Sequence, residues 1–145
     1  MNILMGIGNT LRKDDGVGIY VAHHLHIPDW TAIDCGTAPE NFTSIIHRAR
    51  PDLLVIVDAA DMKLEPGAIR IIPKDKIADA GIGTHQLPLN HLITYLRCAA
   101  GSILLIGIQP YEIADGEGIT PGVADAADRL IGIIEEERIG EIPVW

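Results

Sequence analysis

Two carboxylates and one imidazole occupy positions in this sequence where they could act together. Asp15 comes just after the first apolar run, Asp58 ends another apolar run, and His85 lies in a Gly-Thr-His-Gln loop. Carboxylate oxygens and an imidazole nitrogen together suit a nickel- or zinc-like ion. Without a cation, carboxylates that lie close together repel each other, so such a site would hold a metal or a proton.

Each of these residues alone has an ordinary structural explanation. Asp15 could simply favour the positive end of a helix, and His85 could be one more loop histidine. Asp58 is harder to explain, because a carboxylate that follows five apolar residues needs a partner. The hypothesis of a site therefore depends on the three side chains converging in space.

Short apolar runs alternate with helical patterns along the chain. Strands are predicted at Asn2–Ile7, Thr31–Asp34, Leu53–Asp58, Ala68–Ile72 and Ser102–Ile108. Helices are predicted from Asp14 to about Leu25, Pro39 to Arg50, Pro88 to about Arg97, and Pro121 to about Arg138. This alternation predicts one three-layer α/β domain over residues 1–145, with a mostly parallel, twisted sheet of about five strands and helices on both faces. The run 68–72 leaves no room for a preceding helix, so it is expected to be an antiparallel edge strand.

The predicted fold gives a reason for convergence. Open α/β sheets bind ligands outside the carboxyl ends of their strands, at the point where the strand order reverses. In the commonest small arrangement, strands one and three are neighbours at that point. The loop after strand one carries Asp14 and Asp15, and strand three ends on Asp58. These carboxylates are therefore expected to lie together.

Charge and hydropathy exclude several classes of function. Eleven basic residues against twenty acidic ones give a formal charge of −9, which would repel a phosphate backbone and argues against a nucleic-acid partner. The first residues lack a basic segment followed by a long apolar stretch, so no signal peptide is predicted. No apolar run approaches the roughly 20 residues of a membrane span. A soluble, cytoplasmic protein without a membrane partner is expected.

The two cysteines, Cys35 and Cys98, form neither a disulfide framework nor a Cys-x-x-Cys metal site. Cys35 follows strand two and could face the crevice as a nucleophile. No histidine is fixed beside it by the sequence, so a small packed thiol is the favoured interpretation.

A dinucleotide-binding loop is a competing interpretation of the first turn. Residues 6–11, Gly-Ile-Gly-Asn-Thr-Leu, partly match G-x-G-x-x-G after a strand, and Asp34 stands where a ribose-binding acid would. However, Leu11 replaces the third glycine. Two acids at the helix start would also repel a pyrophosphate, so a tight strand-to-loop turn is favoured.

The segment 6–18, Gly-Ile-Gly-Asn-Thr-Leu-x-x-Asp-Asp-Gly-Val-Gly, resembles the N-terminal signature of the hydrogenase maturation endopeptidases. Further blocks of that family follow in the same order and span nearly the whole chain, at residues 34–41, 57–62, 66–67, 84–90 and 107–110. Together these blocks are highly specific.

The resemblance implies a function and a set of residues. Members of the family trim the C-terminal extension from the nickel-loaded precursor of a [NiFe] hydrogenase large subunit, and three residues bind the nickel that the substrate presents. By position these residues are Asp15, Asp58 and His85, to which catalysis is also assigned; many members carry Glu in place of Asp15. The resemblance implies no permanently bound cofactor, although a divalent ion such as nickel, zinc or cadmium could occupy the site. A monomer is expected.

Two hypotheses complete the sequence-based prediction. Asn9, Asp34, Gly36 and Thr37 lie at the carboxyl ends of strands one and two, where they could line the cleft for a substrate tail. Turn chemistry explains Asn9, Gly36 and Thr37 about as well. The alternative function is a nickel-binding chaperone or delivery module that uses the same three residues without hydrolysis.

Overall fold

A computed structural model of the chain describes residues 1–82 and 88–145. The strands are β1 (Asn2–Gly6), β2 (Trp30–Asp34), β3 (Leu53–Asp61), β4 (Ile69–Ile72), β5 (Gly81–Ile82) and β6 (Ser102–Ile108). The helices are α1 (Val17–His24), α2 (Thr43–Ala49), α3 (Leu89–Leu96) and α4 (Pro121–Glu135). Short 3-10 helices precede α1 and α2, at Lys13–Gly16 and Pro39–Phe42.

The strands form one mixed sheet in the order β2-β1-β3-β6-β4. β1 is parallel to both β2 and β3, and β3 is parallel to β6. The predicted α/β fold is confirmed, and so is the position of β1 beside β3, where the strand order reverses. The antiparallel edge strand is also confirmed as β4, whose neighbour is β6 rather than its predecessor in sequence.

Strand β3 is longer than predicted. It continues past Asp58 to Asp61, because Ala60 and Asp61 pair with the short antiparallel strand β5 and Ala59 pairs with Ile108 of β6. Alanine has low strand propensity, so residues 59–61 gave no strand signal in the sequence. Asp58 therefore lies within the strand, and its backbone pairs with Gly107 of β6.

Helices cover both faces of the sheet, as predicted. On one face, Ile3 and Met5 of β1 and Leu54 and Ile56 of β3 pack with the apolar residues of α2 and α3. On the other face, the intervening residues of the same strands pack with α1 and α4; they include Leu4, Val55 and Val57. The alternation of side chains along a strand explains why the two central strands are apolar at nearly every position. Among the described helices, none is both long and apolar enough to cross a membrane.

The C-terminal helix ends earlier than expected. Glu137 has a left-handed backbone (φ 57°), and the Arg138 N–H donates to Ile133 O at 2.8 Å, which closes α4 at Glu135 rather than near Arg138. The chain then returns to the sheet. Ile71 N donates to Pro143 O and Ile71 O accepts from Trp145 N, both at 2.9 Å, so the last residues lie along the outer edge of β4.

Candidate active site

Asp58 lies in the most enclosed part of the sheet. Its side chain is buried (0% exposed), and its strand β3 is flanked by β1 and β6. The neighbours Val55, Ile56 and Val57 are apolar and fully buried, so the polar side chain stands against an apolar background. Burial of a carboxylate is costly unless a proton, a cation or hydrogen-bond donors compensate it, so this position is typical of a functional or tightly partnered acid.

Asp15 lies on the first 3-10 helix, which packs against the strand that carries Asp58. It is almost fully buried (2% exposed), and its helix lies against β3. Two glycines make the approach possible: a Cβ on Gly8 would overlap the Asp15 carbonyl oxygen, and a Cβ on Gly18 would overlap the carbonyl oxygens of Ile7 and Val57. The start of α1 therefore rests directly on the carboxyl ends of β1 and β3. The glycine-rich signature of residues 6–18 is thus a packing requirement that seats Asp15 beside the segment carrying Asp58.

Asp14 does not join this pair, contrary to the expectation that both acids of the loop converge with Asp58. Its buried carboxylate accepts bonds from Tyr111 N and Glu112 N at 2.9 Å and from Thr120 N at 2.7 Å. The Thr120 hydroxyl donates to it as well, at 2.8–2.9 Å. Adjacent residues on a helix do not point the same way, so Asp14 and Asp15 serve different surroundings. Asp14 ties the loop after β6 to the loop after β1.

The third predicted residue, His85, lies outside the described residues, between β5 and α3. In the ranges 1–82 and 88–145 there is no group of three or more His, Cys, Asp or Glu residues that could hold a metal ion. The assignment of His85 as the third member of the site therefore stays a prediction.

The four predicted cleft residues lie at the carboxyl edge of β1 and β2. Gly8 N donates to Gly36 O at 2.9 Å, which joins the two loops that carry them. The Asn9 side chain accepts the Leu11 N–H at 3.0 Å, so it at least stabilises its own turn. Asp34 accepts from Gly36 N at 3.0 Å and pairs with His23 Nε2 at 2.7 Å, and Thr37 is exposed. Their contact with a substrate stays a prediction.

Cys35 is a packed thiol rather than a nucleophile. Its side chain is buried in the core on the α2 and α3 face. Burial, with a smaller effect from the Asp34 carboxylate, raises the pKa of the Cys35 thiol to about 12. A thiol that is protonated at neutral pH is a poor nucleophile, so the structural interpretation favoured from the sequence holds.

Gln109 is an organising residue that the sequence analysis did not single out. Its buried side-chain oxygen accepts from Met62 N at 2.7 Å and from Leu64 N at 3.3 Å, and its amide donates to Asp61 Oδ1 at 3.1 Å. The bond from Gln109, together with the Lys63 N–H, lowers the pKa of the Asp61 carboxyl. The only signal in the sequence was one polar residue directly after the apolar strand 102–108. Gln109 fixes where the chain leaves β3, just beyond Asp58.

Comparison with known proteins identifies a family for this chain. The HycI hydrogenase maturation protease model matches residues 19–137. The chain is 38% identical to the hydrogenase 3 maturation protease of Escherichia coli over 138 residues, which cover 92% of this chain and 88% of that protein.

Solved structures agree with the sequence relatives. The solution structure of the endopeptidase HycI from Escherichia coli has a TM-score of 0.90 and 37% identity, covering 99% of this chain and 96% of that one. The crystal structure of a [NiFe] hydrogenase maturation protease HycI from Thermococcus kodakarensis has a TM-score of 0.83 and 34% identity, with 94% and 91% covered. These matches replace the dinucleotide-binding interpretation of the first loop. The chain belongs to the hydrogenase maturation protease family, and it is a peptidase.

Proposed function

We propose that this peptidase removes the C-terminal extension from the nickel-loaded precursor of a [NiFe] hydrogenase large subunit. The observation that carries the proposal is the burial of Asp15 and Asp58 on adjoining segments at the point where the strand order reverses. Ligands of open α/β folds bind at this point. A pair of carboxylates at this point could bind a divalent cation that the substrate presents, because carboxylate oxygens are suitable ligands for such ions.

The donor chemistry supports nickel as the part of the substrate that is recognised. Asp15 and Asp58 offer carboxylate oxygens, and His85, as the third ligand, would offer an imidazole nitrogen; first-row divalent metals accept both. An unloaded precursor would give these residues nothing to coordinate. Metal binding by the enzyme would therefore make cleavage conditional on earlier nickel insertion, because binding energy realised only with the correct substrate raises specificity.

For the hydrolytic step, we propose that one carboxylate of the pair acts as the general base. It accepts a proton from a water molecule, whose oxygen attacks the scissile carbonyl carbon, and the proton then reaches the departing amine. The position of Asp58 on β3, next to the point where the strand order reverses, favours this role, because ligands of open α/β folds bind there. Nickel would then serve as the recognition anchor, with or without a direct part in polarising the carbonyl.

The substrate tail has a proposed path. The loops after β1 and β2 are joined by the Gly8–Gly36 bond, so Asn9, Gly36 and Thr37 form one rim of the carboxyl edge. Asp34 lies beside them. An extended tail laid across this rim would reach the adjoining segment that carries Asp15.

The test is mass spectrometry of a cognate large-subunit precursor, with and without nickel, after incubation with this protein. Release of one C-terminal peptide from the nickel-loaded form alone is the expected result. Asp128→Asn is a suitable control, because Asp128 lies on the exposed face of α4 and bonds only to Tyr20 among its described contacts.

Two other outcomes would contradict the proposal. Equal cleavage of loaded and unloaded precursor would remove the nickel requirement. Tight nickel or precursor binding without any peptide release would favour the chaperone alternative.

A further inference from the structure

Large apolar side chains are unevenly distributed on the surface. Six are exposed in the described part of the chain: Met1, Leu11, Tyr95, Tyr111, Ile113 and Val144. Three of them, Leu11, Tyr111 and Ile113, lie on two neighbouring loops, after β1 and after β6. Leu11 is 61% exposed and Tyr111 is 71% exposed. Exposed apolar residues concentrated in one place commonly indicate an interaction site.

Hydrogen bonds join the two loops, so the backbone that carries these exposed side chains is fixed. Lys13 N donates to Gly116 O at 3.0 Å, and Gly116 N donates to Leu11 O at 2.9 Å. Asp14 adds its bonds to Tyr111 N and Glu112 N. A rigid surface loses less conformational freedom when a partner binds, so the bonds made by Asp14 favour association as well as folding.

A cavity adjoins Tyr111. It has a volume of about 280 Å³ and is lined by Pro66, Tyr111, Thr120, Pro121, Gly122 and Val123. Its walls are mainly apolar, and it opens at the end of the sheet from which β6 leaves. A cavity beside an exposed aromatic residue is suited to an apolar side chain from a partner.

The charges around the loops are already neutralised. Arg12 pairs with Asp115 (Nη1 to Oδ1, 3.5 Å), and Lys13 pairs with Glu112 (Nζ to Oε1, 3.2 Å). A further acid, Glu117, is nearby in sequence, and the chain as a whole carries −9. Nucleic acid and anionic lipid are therefore poor partners. An apolar centre with a polar rim is the usual anatomy of a protein–protein contact.

We propose that Leu11, Tyr111 and Ile113, with the cavity beside Tyr111, form a docking surface for the folded body of the large-subunit precursor. This inference rests on the proposed function. The surface is continuous with the proposed rim of the substrate cleft, because Leu11 N donates to the Asn9 side chain at 3.0 Å and Asp14 bonds the loop of Leu11 to that of Tyr111. A peptidase that trims one end of a folded protein needs a contact beyond the scissile segment, and this surface supplies it beside that rim.

The chain offers matched controls for a test. Tyr95 of α3 is 60% exposed and Val144 is 64% exposed, and both lie on elements away from the two loops. A double variant Leu11→Ser/Tyr111→Ser is compared with Tyr95→Ser/Val144→Ser and with the unmodified protein. The probe is the cognate precursor without nickel, titrated by calorimetry, because under the proposed function it is not cleaved and its binding must come from contacts other than nickel.

The expected result is a Kd at least about tenfold higher for Leu11→Ser/Tyr111→Ser, and a Kd within about twofold of the unmodified protein for the control variant. Equal Kd values for all three proteins, or no measurable binding by the unmodified protein, would overturn the docking surface. Peptide release from nickel-loaded precursor is measured in parallel. If release is absent while the Kd pattern holds, the proposed function fails and the docking surface stands.

A second copy of the chain is the other possible occupant of this surface, and sedimentation of the enzyme alone tests for it. If the unmodified protein is a dimer that the Leu11→Ser/Tyr111→Ser variant splits, and the Kd for precursor is unchanged, the surface binds a second copy of the chain and the proposal is wrong.

Discussion

Two regions at the carboxyl end of the sheet use buried polar side chains in opposite ways. On the β6 side, Asp14 and Gln109 are surrounded by backbone N–H groups and tie loops to one another. Between β1 and β3, Asp15 and Asp58 stand on segments that meet where the strand order reverses. The first region is built to hold the chain in place. The second has the position and donor types of a ligand site, although it begins only one residue from Asp14.

The comparison teaches that burial of an acid does not by itself identify its role. Asp14 is as deeply buried as Asp58, and three backbone N–H groups and the Thr120 hydroxyl donate to its carboxylate oxygens, so it ties loops together. What distinguishes the two regions is their position in the sheet. Asp14 is bonded to the loop after β6, whereas Asp15 and Asp58 lie on segments that meet where the strand order reverses, the point at which ligands of open α/β folds bind. Variants of the two regions should therefore fail in different assays.

The largest effect is expected for Asp58→Asn, with Asp15→Asn close behind. Either change removes a carboxylate that we propose binds nickel or accepts a proton, so kcat for precursor processing should fall by about 10²–10⁴-fold. Circular dichroism should show a folded protein, because asparagine has nearly the shape of aspartate. Turnover near the unmodified rate by a folded Asp58→Asn protein would contradict the proposed role of Asp58 and with it the difference between the two regions.

A large effect on stability, rather than on chemistry, is expected for Asp14→Ala. The change leaves the N–H groups of Tyr111, Glu112 and Thr120 without their acceptor, and each unsatisfied buried donor costs about 1–3 kcal/mol. We expect the free energy of unfolding, measured in urea, to fall by at least about 3 kcal/mol, while the folded fraction retains measurable kcat. A stable but inactive Asp14→Ala protein would show that Asp14 acts in the chemistry with Asp15 and Asp58 rather than in holding the loops together.

A smaller effect is expected for Gln109→Leu, at about 2 kcal/mol of unfolding free energy, because Met62 N loses a buried acceptor. The same variant also tests whether Gln109 controls the pKa of Asp61. The hydrogen bond from Gln109 is the largest cause of the lowered pKa of Asp61, and the Lys63 N–H is the next. The pKa of Asp61 should therefore rise toward its ordinary value in Gln109→Leu. Carboxyl NMR titration measures this change.

The sign of the associated pH dependence follows from the direction of the Asp61 shift. A carboxyl whose pKa is lower in the folded state contributes stability above its ordinary pKa, and that stability is lost as the pH falls through the lowered pKa. The free energy of unfolding of Gln109→Leu should therefore fall less than that of the unmodified protein as the pH is lowered through the pKa of Asp61. An Asp61 pKa that does not change in the variant would show that Gln109 is not its main partner.

The smallest effect is expected at Cys35. Because the pKa of its buried thiol is raised to about 12, iodoacetamide at pH 8 should modify the exposed Cys98 and leave Cys35 intact in the native protein. Mass spectrometry of the alkylated protein measures both sites. Cys35→Ala should process precursor at nearly the unmodified rate, since the thiol has no part in the proposed chemistry. Rapid native labelling of Cys35 would contradict its assignment as a packing residue.

Apolar patterning was sufficient to predict the class of fold. The parallel strands are continuous apolar runs, and the run 68–72 was too close to its predecessor for a crossover helix, which placed β4 at an edge. The end of β3 could not be predicted, because Ala59 and Ala60 carry no strand preference and pair only where β5 and β6 come beside them. Long-range pairing overrides local propensity at such positions.

The candidate site was predictable only in part. The rule for ligands at strand ends placed Asp15 and Asp58 on adjoining segments, but it could not separate Asp14 from Asp15, because the partners of Asp14 in the loop after β6 are distant in the sequence. The role of Gln109 depends on three partners that are 45–48 residues away in sequence. No local pattern records such contacts.

The last residues of the chain have a consequence for how the protein behaves among its own copies. The outer strand of a sheet exposes backbone donors and acceptors that can recruit a strand from another molecule and begin aggregation. Here Pro143 and Trp145 occupy the N–H and C=O of Ile71, and Lys76 Nζ donates to Trp145 O at 2.9 Å. Residues 143–145 thus cover part of the outer edge of β4 and hinder its pairing with a strand from another molecule.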